Sequence, residues 1–80
     1  MLKVSKAKTF LKSISKIKDI ALKEKLKKQI RKIILQPEIG KPMRYDRKGT
    51  RELYVKPFRI SYAYRSNEII FLDMYHKDDQ

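Results

Sequence analysis

The chain has 80 residues, with 21 lysines and arginines against 9 acidic residues and a formal net charge of +12. A chain of this length holds one small core, so we expect residues 1–80 to form a single domain. It has no cysteine and one histidine, which excludes disulfides and thiolate or zinc sites, and we expect neither a metal nor a cofactor. No apolar run reaches the roughly 18–20 residues of a membrane span, so the expected location is the cytoplasm, without a membrane partner.

The positive charge is concentrated in the first half of the chain. Residues 1–36 hold 12 lysines and arginines against 2 acidic residues, a balance of +10, whereas residues 37–80 hold 9 against 7, a balance of +2. Such a field attracts phosphate chains, anionic membranes or an acidic protein, and charge alone does not choose among them. Lysines on the outer face of a helix also serve solubility.

The segment 4–36 contains no glycine or proline, and its apolar residues recur at helical spacing. These residues form two stripes: Ala7, Phe10, Leu11, Ile14 and Ile17, then Leu22, Leu26, Ile30, Ile33 and Ile34. Asp19, between the stripes, is a candidate N-cap. The pattern predicts two helices, about residues 5–16 and 20–35, folded as a hairpin, with one continuous helix as the alternative. Pro37 ends the helical region.

After residue 40 the apolar residues alternate with a period of two, which predicts strands. We predict strands at residues 43–45, 51–55, 58–64 and 68–76, and a further brief strand within residues 1–4. The turns "DRKG", "KP" and "RSNE" are short and therefore require antiparallel neighbours. The predicted fold class is α+β: two amphipathic helices on one face of a small, mostly antiparallel sheet whose other face stays open.

The strand "FRISYAY" carries Arg59 within an apolar run. If the aromatic residues of this strand face the helices, the pleat places Arg59 on the open face beside the small side chains of Ser61 and Ala63. There a guanidinium has room to grip a phosphate through paired N–H donors. An ion pair with Glu52 is the alternative, and position alone does not decide between the two.

His76 is the one side chain that exchanges a proton near neutral pH without help, and Lys77 follows it. A lone histidine is usually structural or merely exposed. We predict, however, that Arg51, Lys56, Arg59 and Lys77 cluster about one concavity with His76 at its rim. Such a set can cleave RNA without a metal ion, because cations stabilise the pentacovalent phosphorane while acid and base groups move protons to and from the reacting oxygens.

Other cations and polar residues complete the predicted site. Residues predicted to bind RNA are Arg44, Arg47, Lys48 and Arg51. Glu52 and Tyr75 are weaker candidates for assistance in catalysis. The tyrosines can stack on bases, although their alternating spacing favours packing in the core or sheet for most of them.

The ordered set of elements resembles the RelE/ParE superfamily of bacterial and archaeal toxins, and within it the RelE-like messenger-RNA interferases. The likeness is carried by the helical hairpin, "PEIGKPM", Arg51 at the next strand, "FRISY" and the ending "MYHKDD". It implies a RelE-like fold and a type II toxin-antitoxin toxin that enters the ribosome and cuts messenger RNA, independently of metal. It also implies an acidic RelB-like antitoxin as partner, and no DNA contact except through the antitoxin complex.

The resemblance also implies roles for individual residues. Arg59 matches the family's sheet arginine that contacts the scissile phosphate, and Lys77 matches a basic catalytic residue at the end of the last strand. His76 matches a histidine that some ribosome-dependent relatives use, and Lys56 matches one of two basic residues on the preceding strand. Two alternatives remain: a ParE-like toxin that poisons DNA gyrase without nuclease chemistry, and a basic RNA-binding module without catalysis.

Overall fold

A computed structural model describes residues 2–43 and 49–79 of the chain; of Asp79 it describes only the backbone. Helices α1 (Lys8–Ser15) and α2 (Ile20–Leu35) pack against a five-stranded sheet. The strands are β1 (Lys3–Lys6), β2 (Lys41–Pro42), β3 (Thr50–Val55), β4 (Phe58–Arg65) and β5 (Glu68–His76). Their order across the sheet is β1-β5-β4-β3-β2, and every pair except β1 with β5 is antiparallel. The predicted α+β class is confirmed.

The first helix begins later than predicted, because the residues before it form a strand. The backbone N–H of Lys3 donates to the carbonyl of Asn67, and that of Ala7 donates to the carbonyl of Phe71, both at 2.8 Å. Residues 3–6 thus pair with β5 and do not extend the helix. This contact with a distant segment overrides the local helix propensity. The brief strand predicted within residues 1–4 exists, shifted toward residue 6.

The second helix occupies the predicted residues, and a break separates it from the first. Asp19 has extended backbone angles, and its side chain accepts a hydrogen bond of 3.2 Å from the N–H of Leu22. This N-cap satisfies one of the free N–H groups in the first turn. The alternative of one continuous helix is therefore wrong. Within the described ranges, no helix is long and apolar enough to cross a membrane.

The last three strands lie where the sequence predicts them, to within one residue at each end. Ser66 and Asn67, in the predicted "RSNE" turn, have φ of 51° and 60°. Positive φ at both central residues gives the hairpin turn whose twist matches that of the flanking strands. A short strand at Lys41–Pro42 pairs with β3, and Met43, the first residue of the strand predicted at 43–45, is not part of it. The rest of that predicted strand and residues 46–48 of the "DRKG" turn lie outside the described residues.

The core lies between the two helices and one face of the sheet. Its buried members are Phe10, Ile17, Leu26, Ile33, Val55, Ile60, Tyr62, Ile69, Phe71 and Met74. The rings of Phe10 and Phe71 stack with centroids 5.1 Å apart, which joins α1 to β5. Both predicted helical stripes supply core residues, although Leu11 is 50% exposed.

Tyr62 ties the segment after α2 to the helix side of the sheet. Its hydroxyl donates to the carbonyl of Pro37 at 2.7 Å and accepts from the N–H of Gly40 at 2.8 Å. A Cβ atom at Gly40 would lie 2.5 Å from that hydroxyl oxygen, so glycine is required for this approach. Burial raises the pKa of Tyr62 above its usual 10.0, against smaller opposing effects of the Gly40 N–H and the charge of Arg51.

A bulge in β5 sets which of its residues face the helices. Tyr62 lies opposite Phe71, yet the preceding residue Ser61 lies opposite Asp73, so Leu72 is an extra residue in the ladder. The insertion lets both Phe71 and Met74 reach the core, although strict alternation would send them to opposite faces.

Candidate functional site

The open face of the sheet is the side that carries Arg59, as the sequence predicts. Residues directly opposite one another in a ladder share a face, and Arg59 lies opposite Tyr54 on β3 and Tyr75 on β5. Glu52 lies two residues before Tyr54 on β3 and therefore has its side chain on the same face. The register thus brings four polar or charged side chains, those of Glu52, Tyr54, Arg59 and Tyr75, together on this face.

Arg59 forms an ion pair with Glu52 across the β3–β4 ladder. Nη1 of Arg59 lies 2.8 Å from Oε1 of Glu52. The Glu52 side chain is only 9% exposed and that of Arg59 33%. The predicted alternative of an Arg59–Glu52 pair is therefore confirmed, and the pair is largely shielded from water. Nε of Arg59 is buried and has no hydrogen-bond partner within the described part of the chain.

Tyr75 completes this arrangement from the other side. Its hydroxyl donates a hydrogen bond to Oε2 of Glu52, so each carboxylate oxygen has one partner. A carboxylate held by a guanidinium and a phenol keeps a fixed position, and its charge offsets that of Arg59. Alternation along β3 predicts that Glu52 shares the face of Arg59, but its contact with Tyr75 depends on the β5 bulge, which no sequence pattern reveals.

Two cations flank an exposed aromatic ring on the open face. Cζ of Arg59 and Nζ of Lys77 each lie 5.8 Å from the centroid of the Tyr54 ring. Tyr54 is 49% exposed, and Lys77 is exposed in the short 3₁₀ helix Lys77–Asp79 that follows β5. Both distances lie within the range in which a cation is attracted to the face of a ring. The structure therefore brings Arg59 and Lys77 together, as predicted.

His76 lies at the end of the sheet and not on the face of Arg59. It is the ladder partner of Phe58, and their rings meet edge to face with centroids 5.6 Å apart. Nδ1 accepts a hydrogen bond of 3.2 Å from the N–H of Asp78. Since Nδ1 is an acceptor, Nε2 carries the proton of the neutral ring. The histidine is 40% exposed, so its ring remains accessible to solvent.

The predicted concavity does not include Arg51. It lies opposite Tyr62, so the pleat places it on the helix side of the sheet. Its Nη1 donates to the carbonyls of Glu38 at 3.0 Å and Gly40 at 2.8 Å. The prediction that Arg51 clusters with Arg59 is therefore wrong, because residues 51 and 59 belong to opposite faces in this register.

Lys56 is exposed in the turn between β3 and β4, where its carbonyl accepts from Nζ of Lys25 at 3.2 Å. The N–H of Lys77 donates to the carbonyl of Pro57 at 2.9 Å, so this turn and the start of the 3₁₀ helix meet at one end of the sheet. Three predicted RNA-binding residues, Arg44, Arg47 and Lys48, lie outside the described residues. In the ranges 2–43 and 49–79, no group of three or more histidine, aspartate or glutamate residues is arranged to hold a metal ion.

A family model described as "ParE toxin of type II toxin-antitoxin system, parDE" matches residues 4–80. The chain belongs to this family, and the predicted membership of the RelE/ParE superfamily is confirmed. No curated protein matches the chain.

Solved structures of toxins share the fold at low sequence identity. A YoeB/ParE toxin from Agrobacterium tumefaciens superposes with a TM-score of 0.80 at 15% identity, covering 94% of this chain and 98% of its own. The intact RelBE toxin-antitoxin complex of E. coli gives 0.79 at 14%, with 95% and 96% covered. The chromosomal ParDE system of P. aeruginosa gives 0.75 at 15%, again with 95% and 96% covered. The predicted RelE-like fold is thereby confirmed.

Proposed function

We propose that this toxin inhibits translation by cutting messenger RNA on the ribosome, in the cytoplasm and without a metal ion. The observation that carries the proposal is the convergence of Arg59 and Lys77 on the exposed ring of Tyr54. An exposed aromatic side chain offers a stacking surface to an unpaired base, and flanking cations attract the adjoining phosphate. A single-stranded RNA segment therefore has a physical reason to lie across this part of the open face.

In the proposed reaction the 2′-hydroxyl attacks the neighbouring phosphate, and the 5′ oxygen leaves. Arg59 and Lys77 stabilise the negative charge that develops on the phosphorane, which is the usual contribution of fixed cations. Glu52 engages only one of the five N–H donors of Arg59, so the guanidinium keeps donors for a phosphate. The attacking 2′-hydroxyl loses its proton and the leaving 5′ oxygen gains one. We assign one of these two transfers to His76 at the end of the sheet and the other to water, and Lys56 adds positive charge at the same end.

The site can be tested through Lys77, which is exposed and makes no ion pair with the described residues. Lys77→Ala should leave folding unchanged and slow cleavage by about 10²–10³-fold, the scale for loss of one transition-state donor. The assay is cleavage of a defined messenger in a cell-free translation mixture, followed by end-group analysis. Lys23→Ala, on the exposed side of α2, is the matched control.

Arg59 needs a gentler substitution, because its removal leaves the nearly buried Glu52 without a counter-charge. Arg59→Lys keeps the charge but loses the planar fork, so we expect slower cleavage with a smaller loss of stability. His76→Gln should also slow the reaction, within the 10²–10⁴-fold range of general acid-base catalysis. If messenger is cut equally by wild type and all three variants, Lys77→Ala included, the proposed site is wrong.

A second candidate function is favoured by the Arg59–Glu52 pair itself. The Glu52 carboxylate already occupies one hydrogen-bond donor of Arg59, and His76 lies on the opposite face of the sheet from Arg59. This arrangement suits binding without nuclease chemistry. In that case the toxin poisons DNA gyrase. Intact messenger together with gyrase-linked DNA breaks would select this candidate, whereas RNA binding with neither outcome would select a basic RNA-binding module.

We also propose an acidic RelB-like antitoxin as the partner that neutralises the toxin. The structure of the E. coli relative is that of a toxin-antitoxin complex. In this chain, a groove of about 320 Å³ between α1 and α2 is lined by Phe10, Leu11 and Ile30 together with cationic Lys27 and Arg31. An amphipathic helix with an acidic rim suits such a surface. Pull-down from a native extract should recover a small acidic protein whose affinity falls as salt rises, and Leu11→Asp should abolish its recovery.

A further inference from the structure

The open face carries a concavity at the end of the sheet away from Lys77. It has a volume of about 440 Å³ and lies over Ala63 and Ile70, which face each other across the β4–β5 ladder. Its rim includes Arg65, Ser66 and Glu68. Ala63 lies four positions along β4 from Arg59, about 13 Å at the usual rise per residue. One single-stranded RNA can therefore reach both places.

The two charged residues on the rim have unused hydrogen-bonding capacity. Arg65 and Glu68 are ladder partners beside the tight turn, yet neither forms an ion pair with any residue in the described ranges. Arg65 lies across Gly49, since a Cβ atom there would be 2.6 Å from its Nη2. Gly49 has φ of +89°, a conformation that favours glycine, so a bare backbone borders the guanidinium. The site thus offers a donor fork and an acceptor beside each other at the turn end of a small apolar floor.

We propose that this concavity is a binding site for a guanine base of single-stranded RNA, a few nucleotides from the phosphate at Arg59. The proposal rests on the proposed function, which supplies the RNA. Guanine presents the acceptors O6 and N7, which match the fork of an arginine, and on the adjoining edge the donors N1–H and N2–H, which match a carboxylate. Adenine places a donor where Arg65 requires an acceptor. Ala63 and Ile70 supply the flat apolar contact on which the ring lies.

The test measures binding separately from cutting. The probe is a short, fluorescently labelled oligonucleotide of 2′-O-methyl uridines with one central 2′-O-methyl guanosine. No nucleotide in it has a free 2′-hydroxyl, so it cannot be cleaved by internal attack. Wild type should bind it about tenfold more tightly than the same probe with adenosine, the scale of one bidentate base contact. Glu68→Gln weakens the contact to N1–H and N2–H while Arg65 still selects O6 and N7, so it should reduce this preference, whereas Glu24→Gln, on exposed α2, should leave it unchanged.

Ala63→Leu provides a second variant, because the larger side chain occupies the floor and points away from the core. It should weaken the guanosine probe to the level of the adenosine probe while keeping the melting temperature of wild type. If Ala63→Leu does not fold, Glu68→Gln still decides the matter. Equal binding of both probes by wild type, or a guanosine preference unchanged in Glu68→Gln, would overturn the proposal.

Failure of this site and failure of the nuclease proposal give different results. Messenger cut during translation, together with equal binding of the two probes, refutes the guanine site alone. A guanosine preference reduced in Glu68→Gln, with messenger left intact, supports the guanine site and refutes the nuclease. Absence of binding by every probe at low salt overturns the guanine site whatever the cleavage assay shows.

Discussion

Replacing Tyr62 with phenylalanine removes one hydroxyl group and leaves two backbone groups without their partner. The ring is fully buried and the N–H of Gly40 is buried with it, so water does not replace that bond. An unsatisfied buried donor costs about 1–3 kcal/mol, and the partly buried carbonyl of Pro37 adds a smaller amount. We expect Tyr62→Phe to lower the free energy of unfolding by about 2–3 kcal/mol, which for a domain of this size corresponds to roughly 8–24 °C in melting temperature.

The same substitution should change the pH dependence of stability. Because burial raises the pKa of Tyr62, the folded state keeps the phenolic proton at a pH where the unfolded chain has lost it. The contribution of the Tyr62 hydroxyl to the free energy of unfolding is therefore fully present below 10.0, the pKa of the unfolded chain, and is lost as the pH rises through the pKa of the folded state. The stability difference between wild type and Tyr62→Phe should shrink above about pH 10.

Tyr64→Phe is the matched control, because Tyr64 lies on the same face of the same strand and its hydroxyl has no hydrogen bond to the described residues. The measurement is urea unfolding followed by circular dichroism, at neutral pH and at several values between pH 9 and pH 11. We expect Tyr64→Phe to change stability by no more than about 0.5 kcal/mol. An equal effect of the two substitutions would refute the role given to the Tyr62 hydroxyl.

Two further predictions concern the helices. Leu26 is 2% exposed, so Leu26→Ala should lower the free energy of unfolding by about 2–5 kcal/mol, and a change within experimental error would remove it from the core. Asp19→Ala should lower it by about 1 kcal/mol through loss of the N-cap, with Asp19→Asn retaining most of the stability; equal losses would show that the side-chain oxygen does not cap α2.

The sequence predicts the elements of this fold better than its site. Helical spacing and the Asp19 cap give α2 its observed bounds, and strict alternation gives the faces of β4. The error at the start of the first helix has a different origin, since the strand predicted within residues 1–4 extends to Lys6 by pairing with β5. The extent of such a contact between distant segments cannot be read from the local pattern.

Site geometry depends on register, which explains why only part of it could be predicted. The sequence predicts correctly that Arg59 lies on the open face, because the alternation within one strand is enough to assign the face of its side chain. Arg51 required the pairing of β3 with β4, and His76 required the bulge at Leu72, which reverses the alternation of everything that follows. The shift by one residue brings Tyr75 to Glu52 and sends His76 to the other side.

The parallel pairing of β1 with β5 governs the order in which the chain can fold during synthesis. Among the described strands, β1 pairs with β5, and Phe10 of α1 stacks on Phe71 of the same strand. Residues 3–15 therefore lack this docking surface until Glu68–His76 has also left the ribosome. Contacts across such a separation slow folding and keep apolar segments exposed meanwhile. A nascent chain arrested before β5 should consequently bind chaperones and lack the finished open face, so any activity of that face would begin only after β5 has left the ribosome.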